Sequence, residues 1–113
     1  MIKVEAIVRE EKFEDVKDAL NSIEVRGMTI SQVMGCGRQK GYTEHVRGSK
    51  IDINILPKIK FEIVVSSQAW ADKTIEVIKN AAFTGNPGDG KIFAYELTNV
   101  VRIRTGESGP SAI

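Results

Sequence analysis

The sequence holds one cysteine, one histidine and three prolines in 113 residues. With Cys36 as its only cysteine, the chain can build no internal disulfide framework. A reducing cytoplasm is therefore the default compartment. One cysteine and one histidine also argue against a structural zinc site, which draws four soft ligands from its chain. Aromatics make up 6% of the residues. Tyr42 and His45 alone give too little interleaving to stack on bases, so no direct nucleic-acid partner is expected. The formal net charge of +1 provides no global pull toward nucleic acid or membranes. No apolar run approaches the roughly 20 residues of a membrane span. The start, "MIKVEAIVREEKF", alternates apolar and charged residues and so reads as a strand, not a signal peptide. What remains is an ordinary soluble mix, 42% apolar and 27% charged, of a length that suits one domain with a modest core.

The apolar pattern supplies the elements. Ile2, Val4, Ala6 and Val8 recur with period two, which predicts a strand with one buried face. Phe13, Val16, Leu20 and Ile23 recur at helical spacing among acidic and basic residues, and Gly27 is placed to follow the end of that helix. Glu10, Glu11, Glu14 and Asp15 suit its positive end. "MTISQVMGCG" from Met28 reads as a second strand. From Gly35 to Pro57 the chain is polar and glycine-punctuated, with little period. Strand character returns after Pro57, with Phe61, Ile63 and Val65 on one face and Glu62 and Val64 on the other. "SSQAWADKTIEVIKNAAF" reads as a helix capped by Ser66 or Ser67, with Ala71, Thr74, Ile75, Ile78 and Ala82 along one side. A strand from Lys91 to about Thr98 and a shorter one around "VVRIRT" complete the chain.

This order predicts an α+β, ferredoxin-like β-α-β-β-α-β domain. It has a long loop between strands 2 and 3 and a short extra C-terminal strand. Two helices on one side of an antiparallel sheet leave the other side bare. Ile7 and Val64 lie on that bare face, which makes an oligomer the simple solution.

Three stretches bear on chemistry. In "TGNPGDGKIF", Gly88 and Gly90 flank Asp89, and Lys91 follows. Successive backbone N–H groups there can form an anion nest with a lysine charge beside it. The order is not that of a P-loop, because Ile92 stands where Ser or Thr is required. The competing reading is a loop that simply turns into a strand. In "VRIRTGE", Arg102 and Arg104 would share one strand face, with Val101 and Ile103 turned into the core. Two guanidiniums on one face suit phosphate oxygens, or else surface carboxylates. Taken with Lys91, they favour a polyphosphate ligand. In "GCGRQKG", Gly35 and Gly37 permit close approach of a ligand, Arg38 is cationic, and the Gln39 amide oxygen can ligate Mg²⁺.

From Gly37 to Lys60 six basic residues face only Glu44 and Asp52, a local net of +4 in a nearly neutral chain. A long connection of this kind is a solvated flap or a docking arm ordered by an anion. Cys36 reads as a small buried or interface residue, since no histidine is placed to activate it. No catalytic constellation emerges, and Glu62 has no evident role as acid or base.

Together "RGMTISQVMGCGRQKG", "YTEHVRGSKIDINILPKIKFEIVV" and "TGNPGDGKIFAYELTNVVRIRTGE" resemble the PII signal-transduction proteins over essentially the whole chain, 1–113, as a single PII-like domain. Within that family the sequence looks most like the ammonium-transporter-associated, GlnK-like branch. The resemblance implies a cytoplasmic, non-enzymatic homotrimer that reports nitrogen and energy status and binds ATP or ADP in three clefts between subunits. It implies base contacts at Gly27, Met28, Thr29, Glu62 and Val64. Phosphate contacts would come from Gly35, Gly37, Arg38, Gln39 and Gly88 to Lys91 (Gly88, Asp89, Gly90, Lys91), with Arg102 and Arg104 of the neighbour closing the clamp. Mg²⁺ on Gln39 and a pairing with Lys58 would bring in 2-oxoglutarate. A flexible T-loop, about 37–56, would dock into an ammonium transporter through Tyr42, Arg47, Gly48, Ser49 and Ile51, giving reversible membrane association. Ile51 replaces the family's uridylylated tyrosine, so signalling by ligand alone is implied. A nitrogen-control transcription factor or metabolic enzyme as main target, or weak ATPase activity, are the alternatives.

Overall fold

The computed structural model describes residues 1–25, 27–38 and 53–113. Strand β1 (Ile2–Arg9) leads through a 3₁₀ turn into helix α1 (Phe13–Ser22). Strands β2 (Thr29–Arg38) and β3 (Ile53–Val65) follow, then helix α2 (Gln68–Ala82), strand β4 (Gly90–Glu96) and a second 3₁₀ turn, Gly109–Ala112. The sheet order is β2-β3-β1-β4 and every neighbour is antiparallel. This is the ferredoxin-like arrangement expected from the element order.

Alternation settles which side of the sheet is covered. Val4, Ala6, Phe61 and Ile63 are all but inaccessible to solvent, and Ile2, Val8, Ile59 and Val65 are buried beside them. Both helices pack on this side, through Val16 and Leu20 of α1 and Ala71, Thr74, Ile78 and Ala82 of α2. Phe13 stacks on Phe61 with ring centroids 5.9 Å apart. Thr74 is the buried polar residue of this core, and its hydroxyl donates to the Trp70 carbonyl at 2.8 Å. Of the two serines that could cap α2, Ser67 does so, accepting from the Trp70 N–H at 3.2 Å. Caps of this kind stabilise by about 1 kcal/mol.

The structure departs from the sequence reading in four places. Helix α1 stops at Ser22, one residue short of Ile23 in the apolar series, and a residue with positive φ, Glu24 (65°), closes it before Gly27. Hydrogen bonds from Glu24 and Val25 N–H back to Asn21 and Leu20 close this turn, so Gly27 is free to belong to the next segment. Second, the β2–β3 ladder runs on to Arg38↔Ile53, past the glycines that suggested an earlier end. Pro57 lies inside β3, opposite Met34. This is tolerated because β1 ends at Arg9, opposite Lys58. Beyond that point β3 has one neighbour, and a proline can face its open side. Residues 39–52, the body of the expected loop, lie outside the described residues.

Third, the short C-terminal strand survives only as one antiparallel bridge, Val101 to Ser108. Fourth, Val101 and Ile103 are not core residues, being 57% and 98% exposed. Residues 103–105 form a turn, closed by Arg102 N–H to Glu107 O and Gly106 N–H to Arg102 O, both 2.8 Å. The two-residue alternation that would have buried Val101 and Ile103 therefore does not operate here.

The other side of the sheet carries Ile7 and Val64, half-buried, with Phe93 and Tyr95 of β4 more than 40% exposed. Lys3 pairs with Glu62 at 2.6 Å, and Glu5 accepts from Tyr95 and lies 3.7 Å from Lys60. Hydrogen bonding to Tyr95 holds the Glu5 carboxyl below its usual range, and the same bond raises the Tyr95 phenol. Such a face, apolar and charge-paired with no helix over it, suits burial against further protein.

Candidate functional site

Two regions of the molecule draw on β3, one through Glu62–Val65 and the other through Lys58. The first is a cleft of about 570 Å³ at the end of the sheet where α1 hands over to β2. Gly27, Met28 and Thr29 form one wall, and Glu62 and Val64 of β3 form another. All five residues expected at the base end of a ligand thus line one cavity. Thr29 stands directly opposite Glu62 in the ladder, which explains how segments more than thirty residues apart share it. Three further segments line it that were not legible in the sequence as part of a site. Glu24 reaches the cleft from the turn after α1, Trp70 from the first turn of α2, and Val100, Ala112 and Ile113 from the C-terminal segment. Gly27 would accept a Cβ without contact within 4 Å, so its place in the cleft wall does not depend on being glycine.

The second region is the turn from Thr84 to Lys91. The resemblance put Asp89 among the phosphate-contacting positions; its carboxylate faces the loop itself. It accepts from Thr84 N–H at 2.8 Å, Gly85 N–H at 2.9 Å and the Thr84 hydroxyl. Arg9, at the end of β1, completes the ring with Nε 3.0 Å from Asp89 Oδ1 and Nη2 2.7 Å from the Pro87 carbonyl. These donors, the Thr84 hydroxyl first, hold the Asp89 carboxyl far below the usual carboxylate range. Arg9 is the residue that sequence reading missed. It continues the β1 alternation and looks like any solvent-facing strand end, while its partner lies 80 positions away.

With its acidic side chain engaged, the turn presents backbone. Gly88 has φ 102° and a Cβ there would press on Arg9 Nη2 at 3.3 Å. Gly90 has φ 106°, and a Cβ there would lie 1.7 Å from the Ile7 carbonyl oxygen. Both glycines are therefore fixed by geometry and not by loop flexibility. Lys91 follows, exposed and opposite Ile7 in the ladder. Lys58, from β3, donates to the Gly88 carbonyl at 2.7 Å. That bond ties the glycine turn to the same strand that carries Glu62 and Val64. Gly35 lies against Lys58, where a Cβ would meet Lys58 Cγ at 3.3 Å.

Arg102 and Arg104 are not brought to this turn within one protomer. Arg102 bonds Glu107 at 3.1 Å and the Ile113 carbonyl at 3.2 Å, and Arg104 is exposed on the 103–105 turn. The expected strand that would align them is replaced by that turn. Gly37 and Arg38 end β2, and Gln39, Tyr42, Arg47, Gly48, Ser49 and Ile51 lie outside the described residues. Among the described residues no group of three or more His, Cys, Asp or Glu could hold a metal ion. None of their helices is long and apolar enough to cross a membrane. Cys36 is exposed in a single protomer, which leaves an interface as the remaining part of its expected setting.

Acid should loosen the turn, through Asp89. A carboxylate held low in the folded state stabilises it above the unfolded value, near 4. That stabilisation fades as pH falls below 4 and the carboxyl approaches protonation. Wild type should therefore lose stability from about pH 4 downward relative to Asp89→Asn, the gap between them being constant from pH 7 to 5. Urea melts of both proteins across pH 7 to 2.5 measure this, and parallel curves throughout would contradict the assignment.

The chain is similar to known proteins over nearly its whole length. The family model described as nitrogen regulatory protein P-II matches residues 1–107. A nitrogen regulatory PII-like protein of Bacillus subtilis is 49% identical over 113 residues, covering 100% of this chain and 97% of the relative. A nitrogen regulatory protein P-II 1 of Methanothermobacter thermautotrophicus is 50% identical with the same coverage. GlnK of Escherichia coli is 44% identical over 97% of both chains. Among solved structures, B. subtilis GlnK superposes with a TM-score of 0.83 at 48% identity, over 99% of this chain and 97% of that one. The complex of B. subtilis GlnK with ATP superposes at 0.85 and 48%, over 99% and 96%.

Proposed function

As the chain belongs to the P-II family of nitrogen regulatory proteins, we propose that it is a non-enzymatic sensor of nitrogen and energy status that binds ATP and ADP in competition and passes the result to an ammonium transporter. The observation that carries this reading is the union of two regions on β3. The cleft of Gly27, Met28, Thr29, Glu62 and Val64 has the volume of a small-molecule site. The Gly88–Lys91 turn, held to β3 by Lys58, offers backbone N–H groups and a lysine to an anion. A base at one end and a phosphate tail at the other is the ligand shape that fits.

The clamp is completed in a homotrimer. The apolar, helix-free face of the sheet is buried between subunits, and Arg102 and Arg104 reach the phosphates from the adjoining protomer. Gly37, Arg38 and Gln39 approach the phosphates from the other side, and Gln39 holds Mg²⁺. 2-Oxoglutarate then binds through the metal and Lys58. Because the Lys58 ammonium donates to the Gly88 carbonyl here, oxo-acid capture competes with a bond inside the nucleotide turn. That exchange gives the T-loop two packings, one that docks Arg47 in the transporter mouth and one that releases it. Recruitment to the membrane is reversible, and with Ile51 at the modification position the switch runs on ligands alone.

Titration calorimetry of the assembled protein with ATP and with ADP tests the base of this reading. Heats that saturate at one site per protomer, with each nucleotide displacing the other, are the expected outcome. Absence of heat for both would end it. Binding to transporter-containing membranes with ADP, and its loss with Mg²⁺–ATP plus 2-oxoglutarate, tests the upper part.

A further inference from the structure

Arg9 and Lys58 stand directly opposite each other on β1 and β3. Like charges so placed repel and weaken a sheet. Here both cations act on one object, the turn from Thr84 to Gly90. Arg9 Nη2 donates to the Pro87 carbonyl at 2.7 Å and reaches the Asn86 carbonyl at 3.5 Å. Lys58 Nζ donates to the next carbonyl, that of Gly88, at 2.7 Å. Three successive carbonyls are thus turned onto the end of the sheet. In a trans peptide the C=O of one residue and the N–H of the next point in opposite directions. Arg9 on the Pro87 oxygen therefore turns the Gly88 N–H away from the guanidinium, and Lys58 on the Gly88 oxygen does the same for the Asp89 N–H. Among the described residues neither of these amides meets an acceptor. The N–H groups of Thr84, Gly85 and Asn86, by contrast, are all satisfied inside the turn.

Resting on the nucleotide reading above, we propose that Arg9 is a positioning residue for the phosphate end of that site, aiming the Gly88 N–H at the anion without touching the anion itself. The Pro87–Gly88 peptide is the one that needs holding. Gly88, at φ 102°, tolerates either direction of that peptide plane, so the backbone alone does not choose between them. Flipped, the same peptide presents its carbonyl, and the negative end of that dipole repels phosphate. Arg9 makes the choice, and its Nε, 3.0 Å from Asp89 Oδ1, holds the fork in place. Lys58 acts on the following peptide in the same manner, so the two amides are aimed separately.

Tripolyphosphate and ATP are the probes, the first because it engages the turn and has no base for the cleft. Added to the full-length assembled protein, each should move the Gly88 and Asp89 amide proton resonances downfield together, as hydrogen bonds to an anion do. Arg9→Met keeps the stem and removes the donors. It should weaken both probes by about tenfold or more, the loss of one hydrogen bond to a charged group. It should also abolish the Gly88 shift while the Asp89 shift persists. Lys58→Met should give the mirror image, losing the Asp89 shift and keeping that of Gly88. Arg9 also balances the Asp89 charge, and the double variant Arg9→Met/Asp89→Asn separates that effect. It should stay weak, because neither change re-aims Gly88. Recovery of wild-type affinity in the double variant would overturn positioning in favour of charge balance. A folded Arg9→Met protein with wild-type affinity would overturn it too. So would a wild-type protein that binds either probe with its Gly88 amide unmoved, a result that needs no variant to fold. Each of these leaves the nucleotide reading intact. Failure of ATP, ADP and tripolyphosphate all to bind wild type would instead remove that reading, and the role of Arg9 with it.

Discussion

Gly90→Ala should cost about 3 kcal/mol or more of stability and abolish nucleotide-induced stabilisation together with it. The obstacle is backbone. The new methyl would sit 1.7 Å from the Ile7 oxygen, 2.8 Å from the Ile7 carbonyl carbon and 3.3 Å from Val8 Cα. No side chain can rotate away to make room. Gly90 pairs with Val8 and Lys91 with Ile7 in the β1–β4 ladder, so relief requires the start of β4 to leave the sheet. The same shift carries Lys91 and the Gly88 amide away from their places in the 84–91 turn. Two other glycines provide the controls. Gly106 has φ 74° but open space, so Gly106→Ala should cost only the left-handed penalty of about 1–2 kcal/mol. Gly27 has open space and no positive φ, so Gly27→Ala should leave stability within about 0.5 kcal/mol of wild type. Urea denaturation of the three variants, with and without ATP, measures all of this. A Gly90→Ala protein as stable as Gly106→Ala would refute the geometry.

Phe61→Ala should be the most destabilising truncation in the core, at about 3–5 kcal/mol. Phe61 is fully buried at the middle of β3, with β1 on one side and β2 on the other, and it stacks on Phe13. Its removal opens a cavity that strands on both sides hold open, which limits collapse. The consequence for function differs from that of Gly90→Ala. Neither the cleft nor the glycine turn takes its lining from Phe61. Saturating ATP should therefore raise the denaturation midpoint of Phe61→Ala as much as that of wild type, by the linkage between binding and folding. Equal loss of stability and of the ATP increment would mean that the core and the site are one unit.

The two variants separate what period and composition could reveal from what they could not. Alternation at Ile2, Val4, Ala6 and Val8, and at Phe61, Ile63 and Val65, marked the buried side of the sheet because burial is imposed every second residue along a strand. Helical spacing did the same for Val16, Leu20, Ala71, Thr74 and Ile78. The five cleft residues Gly27, Met28, Thr29, Glu62 and Val64 came from a resemblance carried by long motifs, and the ladder explains why they share one cavity. Where the chain leaves regular structure, period has nothing to act on. Val101 and Ile103 read as core and are exposed because a hydrogen-bonded turn replaced the strand. Arg102 and Arg104 lost their common face for the same reason.

From β1 to β4 the elements, their buried faces and the α+β order were thus legible in the sequence alone, since each periodic pattern rests on residues a few positions apart. Tertiary structure decided the rest. It turned Asp89 inward against Arg9, set Gly90 on the Ile7 carbonyl, placed Lys58 on the Gly88 carbonyl and laid the Ile113 end beside the cleft under Arg102. Each of these joins groups distant along the chain through one or two polar contacts, and such contacts leave no periodic trace in the residues that make them.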